Sequence, residues 1–295
     1  MDDKTLQARL LELIRRTSTQ LPPDVVRTIE SARRREKKGT NADYALKVIH
    51  ENYVLAREKS LPICQDTGTI ICYVDRPAWI DEARFTRVFE RAVAQATRLG
   101  YLRQNSVDSI TGRNSGNNLG PGSPVIHFHQ TNARSLTLRL MLKGGGCENV
   151  GVQYSLPDTA LGAGRDLEGV RRCLLDAVHR AQGKGCGPGV LGVCIGGDRA
   201  TGYVSSKETL FRPLDDVNPD PTLARLEKRV LKEANSLGIG PMGFGGRTTL
   251  LGVKITARNR VPASFFVSVS YMCWAYRRDG CRLAESGKVT RWLYD

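Results

Sequence analysis

No C-x-x-C pair occurs in the 295 residues, although eight cysteines do, and there are only four histidines, His50, His127, His129 and His179. Paired cysteines at that spacing mark ferredoxins and structural zinc sites, so those classes are set aside. No Gly-Lys-Ser/Thr closes a glycine-rich stretch, and no dinucleotide fingerprint with its trailing acidic residue is present. Aromatic residues are sparse at 6%. The basic residues are not accompanied by zinc-finger spacing, a ribonucleoprotein signature or a recognition-helix pattern. No apolar run reaches bilayer length, and Met1-Asp2-Asp3-Lys4 begins no signal-peptide core, which predicts a cytoplasmic protein without a membrane span. In that compartment cysteines serve as thiols or metal ligands rather than as disulfides.

Positive charge is abundant: 44 Lys and Arg stand against 30 Asp and Glu, a formal net charge of +14. Such a balance suits nucleic acid, a membrane surface, an acidic partner or an anionic substrate. Part of it is the run Arg33-Arg34-Arg35-Glu36-Lys37-Lys38, which reads as a solvated helix end. A basic nucleic-acid-binding protein with structural cysteines is the alternative of another class; its affinity would fall steeply with salt. Forty per cent hydrophobic residues and a quarter charged are ordinary for a soluble chain able to bury a substantial core.

The periodicities predict an α+β (irregular α/β) fold with a helical N-terminal part over roughly residues 1–60, and the length allows one large domain or two smaller ones. Leu6, Leu10, Leu11 and Ile14 recur at helical spacing; Val25, Val26 and Ile29 follow Pro22-Pro23-Asp24; a third helix begins near Asn41. Strands are expected over 68–74, 124–128, 135–142, 190–195, 250–255 and 265–271, and helices over 79–99, 166–181 and 221–237. A mixed sheet follows, because no regular βαβ beat is present. Residues 104–123 form a long polar, glycine-rich loop between ordered segments, a length that points to function.

Three cysteines occupy pointed settings: Cys64 before Gln65-Asp66-Thr67-Gly68, Cys186 within Gly185-Cys186-Gly187-Pro188-Gly189, and Cys273 before Trp274 at the end of an apolar run. Meeting in space, three thiolates without a fourth partner would describe an iron–sulfur cluster with one iron open as a Lewis acid. Each has a plainer reading as a packing or loop thiol. Asp66 is a candidate acid or base, or the cap of a turn. Gly144–Gly146 and Gly243–Thr249 could present amides to an anion. Arg103 and Arg113 could grip carboxylates, or be surface residues. Cys72, Cys173, Cys194 and Cys281 read as packing or surface residues. Cys147 stands in the special turn Gly144-Gly145-Gly146-Cys147-Glu148-Asn149, and His127 and His129 point to one side of a strand.

In order along the chain, Ile63-Cys64-Gln65-Asp66-Thr67-Gly68, Asn114-Ser115-Gly116-Asn117-Asn118, Lys143-Gly144-Gly145-Gly146-Cys147-Glu148-Asn149, Ile195-Gly196-Gly197-Asp198-Arg199, the stretch Gly238–Gly246, and Pro262-Ala263-Ser264-Phe265-Phe266 through Cys273-Trp274-Ala275 resemble the iron–sulfur fumarate hydratases of class I and the related L-tartrate dehydratase alpha subunit. The resemblance implies a single module over 1–295, with a mixed sheet around a [4Fe-4S] cluster on Cys64, Cys186 and Cys273 and with Cys147 left out of the ligand set. It also implies that Gln65 and Asp66 face the substrate, Arg103 holds a carboxylate, and the backbone at Gly145 and Gly146 contacts it. The expected reaction is reversible hydration of fumarate to (S)-malate; L-tartrate or mesaconate are the alternative substrates. A separate beta subunit is expected to complete the site in a dimer of heterodimers, with the positive charge serving that docking and the steering of a small dicarboxylate. Two positions depart from the family. The Cys-Pro-Pro seen at the second ligand is Cys186-Gly187-Pro188 here, and Val261 stands where some members have histidine, so no role for that histidine carries over.

Overall fold

The computed structural model describes all 295 residues. Three helices open the chain: α1 (Asp3–Thr19), α2 (Pro23–Arg35) and α3 (Asn41–Lys59). Then come β1 (Thr69–Arg76), α4 (Glu82–Arg98), β2 (Val125–Gln130), β3 (Leu136–Lys143), the short α5 (Gly145–Asn149), β4 (Val152–Ser155), α6 (Leu167–Ala181), β5 (Gly189–Gly196), α7 (Arg199–Thr209) and α8 (Pro221–Ser236). β6 (Leu250–Arg258), β7 (Phe266–Met272), β8 (Arg278–Leu283) and β9 (Val289–Trp292) complete it. The fold is α+β, as expected.

The chain divides into two compact units, each assembled from discontinuous segments. The first takes Met1–Pro23, Glu51–Gly145 and Ala275–Asp295; the second takes Asp24–His50 and Gly146–Trp274. The division falls inside α3 and at the first residue of α5. The helical opening is therefore shared between the units, α1 belonging to the first and α2, from its second residue Asp24 onward, to the second.

In the first unit a five-stranded sheet runs β2-β1-β3-β8-β9, with β1 and β2 parallel and the other pairs antiparallel. β3 alternates as its sequence demands: Leu136, Leu138, Leu140 and Leu142 are buried. They join Ile70, Cys72 and Val74 of β1 and the apolar stripes of α1 and α4 in one core. On α1 that stripe is Leu6, Leu10, Leu13 and Ile14, with Leu11 only partly buried. Each such leucine contributes about 1.5–3 kcal/mol through burial. Asp2 and Asp81 start α1 and α4 by accepting from the backbone N–H of Thr5 and Arg84, each at 2.7 Å.

The second unit holds a four-stranded sheet, β4-β7-β5-β6. β5 lies parallel to β6 and antiparallel to β7. All eight residues of β5 are buried, which explains its unbroken apolar run, because a central strand is covered on both faces. Helices α7 and α8 pack on this sheet, with α6 against α8 and β7. No helix is long and apolar enough to cross a membrane.

Candidate active site

In the first unit, the segment from α3 to β1 is anchored by buried Ile63, whose N–H donates to the Ser18 carbonyl at 3.0 Å. Half-buried Cys64 and Asp66 and exposed Gln65 follow. Asp66 Oδ2 accepts from the Gly145 N–H at 2.7 Å, and Oδ1 accepts from Asn105 Nδ2 at 3.1 Å. The approach is close at Gly144, where a β-carbon would stand 2.9 Å from Asp66 Oδ2 and push the carboxylate aside. Gln65, Asp66, Arg103 and Asn105 line one open depression of about 470 Å³. Three substrate-facing residues expected from the sequence thus share one surface. The Gly145 amide is engaged by Asp66, so any contact with a substrate must exchange that bond.

In the long polar loop one residue ties several segments together. Asn118 is buried and left-handed at φ 64. Its Oδ1 accepts from the N–H groups of Asn105 and Ser106 at 2.8 and 3.1 Å. Its Nδ2 donates to the Arg103 carbonyl at 2.7 Å and to Thr97 Oγ1 at 2.9 Å, and its carbonyl accepts from Ser123 Oγ at 2.8 Å. Asn tolerates this backbone region because its short amide bonds locally. The Arg103 N–H donates to Thr67 Oγ1 at 3.1 Å, which ties the loop to the Asp66 segment. Arg113, exposed and beyond the first part of the loop, does not line the depression.

In the second unit, antiparallel pairing of β5 and β7 sets Val190 opposite Met272 and Leu191 opposite Tyr271. Cys186 just precedes β5 and Cys273 just follows β7, so sheet register brings both to the same end of the strand pair. The Trp274 N–H donates to the Cys186 carbonyl at 3.2 Å. The Tyr271 ring lies across the glycines around Cys186: a β-carbon at Gly185 would stand 2.5 Å from Cε1, and one at Gly189 2.1 Å from Cζ. Tyr271 is buried, and burial pushes its phenol well above the ordinary value, with Cys273, Cys147 and Cys186 near enough to add to the shift. Cys147, left out of the expected ligand set, therefore shares the neighbourhood of Cys186 and Cys273.

The chemistry of these donors fits an iron–sulfur group: thiols are its protein ligands, and the glycines flanking Cys186 leave room beside its sulfur. No three His, Cys, Asp or Glu side chains gather where a single ion could be held. Cys64 belongs to the other unit. The remaining thiols pack: burial raises Cys72, Cys173, Cys194 and Cys281, with Cys173 and Cys281 pushed up to about 12.

The second candidate anion loop is occupied from within the same unit. Buried Glu36 accepts the Arg247 N–H on both carboxylate oxygens, at 3.0 and 2.9 Å. The stretch Gly238–Gly246 also braces the cysteine loop, with the Met242 N–H on the Gly187 carbonyl at 2.9 Å. His127 and His129 lie over Tyr73 of β1, the first stacked at 4.6 Å between ring centres, and neither lines the depression. Sequence reasoning passed over Asn105, Tyr271 and Arg277. The signal for the last two was their place beside Cys273, and for Asn105 its spacing of two from Arg103 on the same loop.

The family model for fumarate hydratase (Fumerase) matches residues 7–282. A protein of Geobacillus stearothermophilus provisionally named fumarate hydratase class I is 52% identical over 293 residues, 98% of this chain and 57% of that protein. This chain therefore spans little more than half the length of that relative. A protein of Methanocaldococcus jannaschii provisionally named L(+)-tartrate dehydratase subunit alpha is 34% identical over 285 residues, 95% of this chain and 98% of that one. The L(+)-tartrate dehydratase subunit alpha of Escherichia coli K12 is 30% identical over 269 residues, 88% of this chain and 85% of that one. The match extends across the segments that carry Asp66, Cys186 and Cys273, and the chain belongs to the fumarate hydratase (Fumerase) family.

Proposed function

We propose that this chain is the alpha part of a hydro-lyase that hydrates fumarate reversibly to (S)-malate. The observation that carries the reading is the depression in which Gln65, Asp66 and Arg103 meet, with the Asp66 carboxylate aimed by the Gly145 N–H. Arg103 presents a planar fork that takes a carboxylate through two hydrogen bonds. Gln65 can both donate to a carboxylate and accept from a hydroxyl. Asp66, oriented by Gly145 and Asn105, takes the proton from the carbon that loses it in dehydration and returns it in hydration. Gly145 and Gly146 would contact the substrate through their backbone.

Cys64, Cys186 and Cys273 would hold a [4Fe-4S] cluster, which when bound supplies an open iron acting as Lewis acid on the substrate hydroxyl. The relatives named as alpha subunits support a partner beta chain that completes the site; the proposed assembly is a dimer of heterodimers in the cytoplasm. The excess of cations suits docking to an acidic face of that partner and steering of a dianion.

The test is anaerobic reconstitution with iron and sulfide in the presence of the beta chain, followed by fumarate hydration. A Cys186→Ala protein that assembles a full cluster and hydrates fumarate like the wild type would refute the ligand assignment. A second reading keeps the chemistry and changes the substrate to L-tartrate or mesaconate; it draws on the alpha-subunit relatives, one of which is matched over nearly its whole length. One methyl or hydroxyl changes pocket contacts by only about 1–3 kcal/mol. Kinetics on the three diacids, run side by side, decide between them.

A further inference from the structure

Beneath the Asp66 segment, within the first unit, lies a guanidinium that is almost wholly buried. Arg277 is 1% exposed. Its Nη1 donates to the Asp66 carbonyl oxygen at 2.7 Å, while its Nε is buried without a hydrogen-bond partner. Its Nη2 would stand 3.5 Å from a β-carbon on Gly144, the same point that lies 2.9 Å from Asp66 Oδ2. The Arg277 backbone is fixed on both sides. Its N–H donates to the Ala275 carbonyl at 2.8 Å, and its carbonyl accepts from the Leu142 N–H at 3.0 Å, one residue before Lys143 and the glycine turn. Burying a cation sacrifices hydration that an apolar side chain of similar size would never lose, so packing alone does not account for arginine here. The fork bonds the Asp66 peptide and lies against the Gly144 turn, reinforcing two segments that the Asp66–Gly145 bond and the pairing of Thr69 with Lys143 already bring together.

We infer that Arg277 is a positioning residue for Asp66: it clamps the Asp66 peptide against the Gly144–Gly145 turn and so fixes where the carboxylate stands relative to Arg103 and Gln65. The inference rests on the reading of Asp66 as the proton-handling group, but its geometric half stands independently of any turnover. A displacement of about 1 Å in a catalytic group costs roughly a hundredfold in rate. Loss of the clamp acts on the chemical step, whereas loss of a substrate-binding group raises KM.

The experiment compares wild type with Arg277→Gln, Arg277→Lys and Arg277→Met, each reconstituted anaerobically with the beta chain. Three quantities are read: kcat and KM on fumarate, amide hydrogen exchange at Gly145, and iron content. Arg277→Gln and Arg277→Met are expected to lose about a hundredfold in kcat with KM little changed, to exchange the Gly145 amide faster, and to keep their iron. Arg277→Lys, which retains one donor for the Asp66 carbonyl, is expected to recover part of both kcat and Gly145 protection. Wild-type kcat and Gly145 exchange in Arg277→Met would overturn the inference, because packing would then suffice. A rise in KM alone would also overturn it, by making Arg277 a substrate ligand. If the glutamine and methionine variants do not fold, Arg277→Lys decides: unchanged exchange at Gly145 with unchanged kcat overturns the clamp. A wild-type protein inactive on fumarate, tartrate and mesaconate refutes the proposed function instead, and leaves the exchange comparison to judge the clamp.

Discussion

The depression around Asp66 is lined by four polar or charged residues, open to water and held by hydrogen bonds between loops. The patch around Tyr271 is sulfur-bearing, close-packed and made by omission, glycines leaving room for an aromatic ring beside half-buried Cys186. The first kind of site can exchange partners: the Gly145 amide can leave Asp66 for a ligand and return at modest cost, because a charge-assisted hydrogen bond is worth about 1.5–3 kcal/mol net. The second kind cannot yield, because a close-packed ring has nowhere to go. Under the proposed function, proton handling would fall to the former and two of the cluster thiolates to the latter.

The largest effect that separates the two patches is expected from the sulfurs. Cys186→Ala and Cys273→Ala should abolish fumarate hydration and most bound iron, measured by iron and sulfide content after anaerobic reconstitution, while Cys147→Ser should keep the iron. Retention of a full cluster by either alanine variant would break the contrast. Asp66→Asn should bind iron normally yet lose about 10²–10⁴-fold in kcat, the usual range for a lost acid–base group. Gly189→Ala forces a methyl onto the Tyr271 ring and should cost about 1–3 kcal/mol by urea unfolding, with Tyr271→Leu in the same chain recovering part of the loss. Arg103→Lys gives up the fork but keeps the charge; losing one charge-assisted bond of about 1.5 kcal/mol should raise KM roughly tenfold. Arg113→Gln, away from the depression, should leave kcat/KM within about twofold, as surface substitutions usually change free energies by under about 0.5 kcal/mol.

Periodicity in the sequence was enough for the elements whose apolar residues keep one beat: the alternating leucines of β3, the stripe of α4, the unbroken run of β5. It failed for β8, where Arg278 and Asp279 look like surface residues and are instead buried, Asp279 accepting from Arg16 Nε at 2.8 Å. α7 was also missed. Its Thr, Ser and Gly residues are weak helix formers, and Asp198 starts it by accepting from the Ala200 and Thr201 N–H groups. At the site, Asp66 and Arg103 were candidates by their own chemistry, Gln65 only through the resemblance to the class I fumarate hydratases, and the structure sets all three around one depression. Arg277 was hidden among so many cations, since only burial separates it from the rest. Glu36 was invisible for another reason: nothing local says that a carboxylate at the end of α2 will fill the loop before Arg247. That pairing depends on tertiary geometry that no periodicity carries.

Asn118 has a consequence for the substrates that can be told apart. With five hydrogen bonds on one amide and its own carbonyl, it freezes the loop carrying Arg103 and Asn105 before any ligand arrives. Little conformational entropy remains to be lost on binding at that edge. Closely related diacids would then be sorted there by steric fit to a rim that is already standing, and not by how well each one coaxes a floppy segment into place.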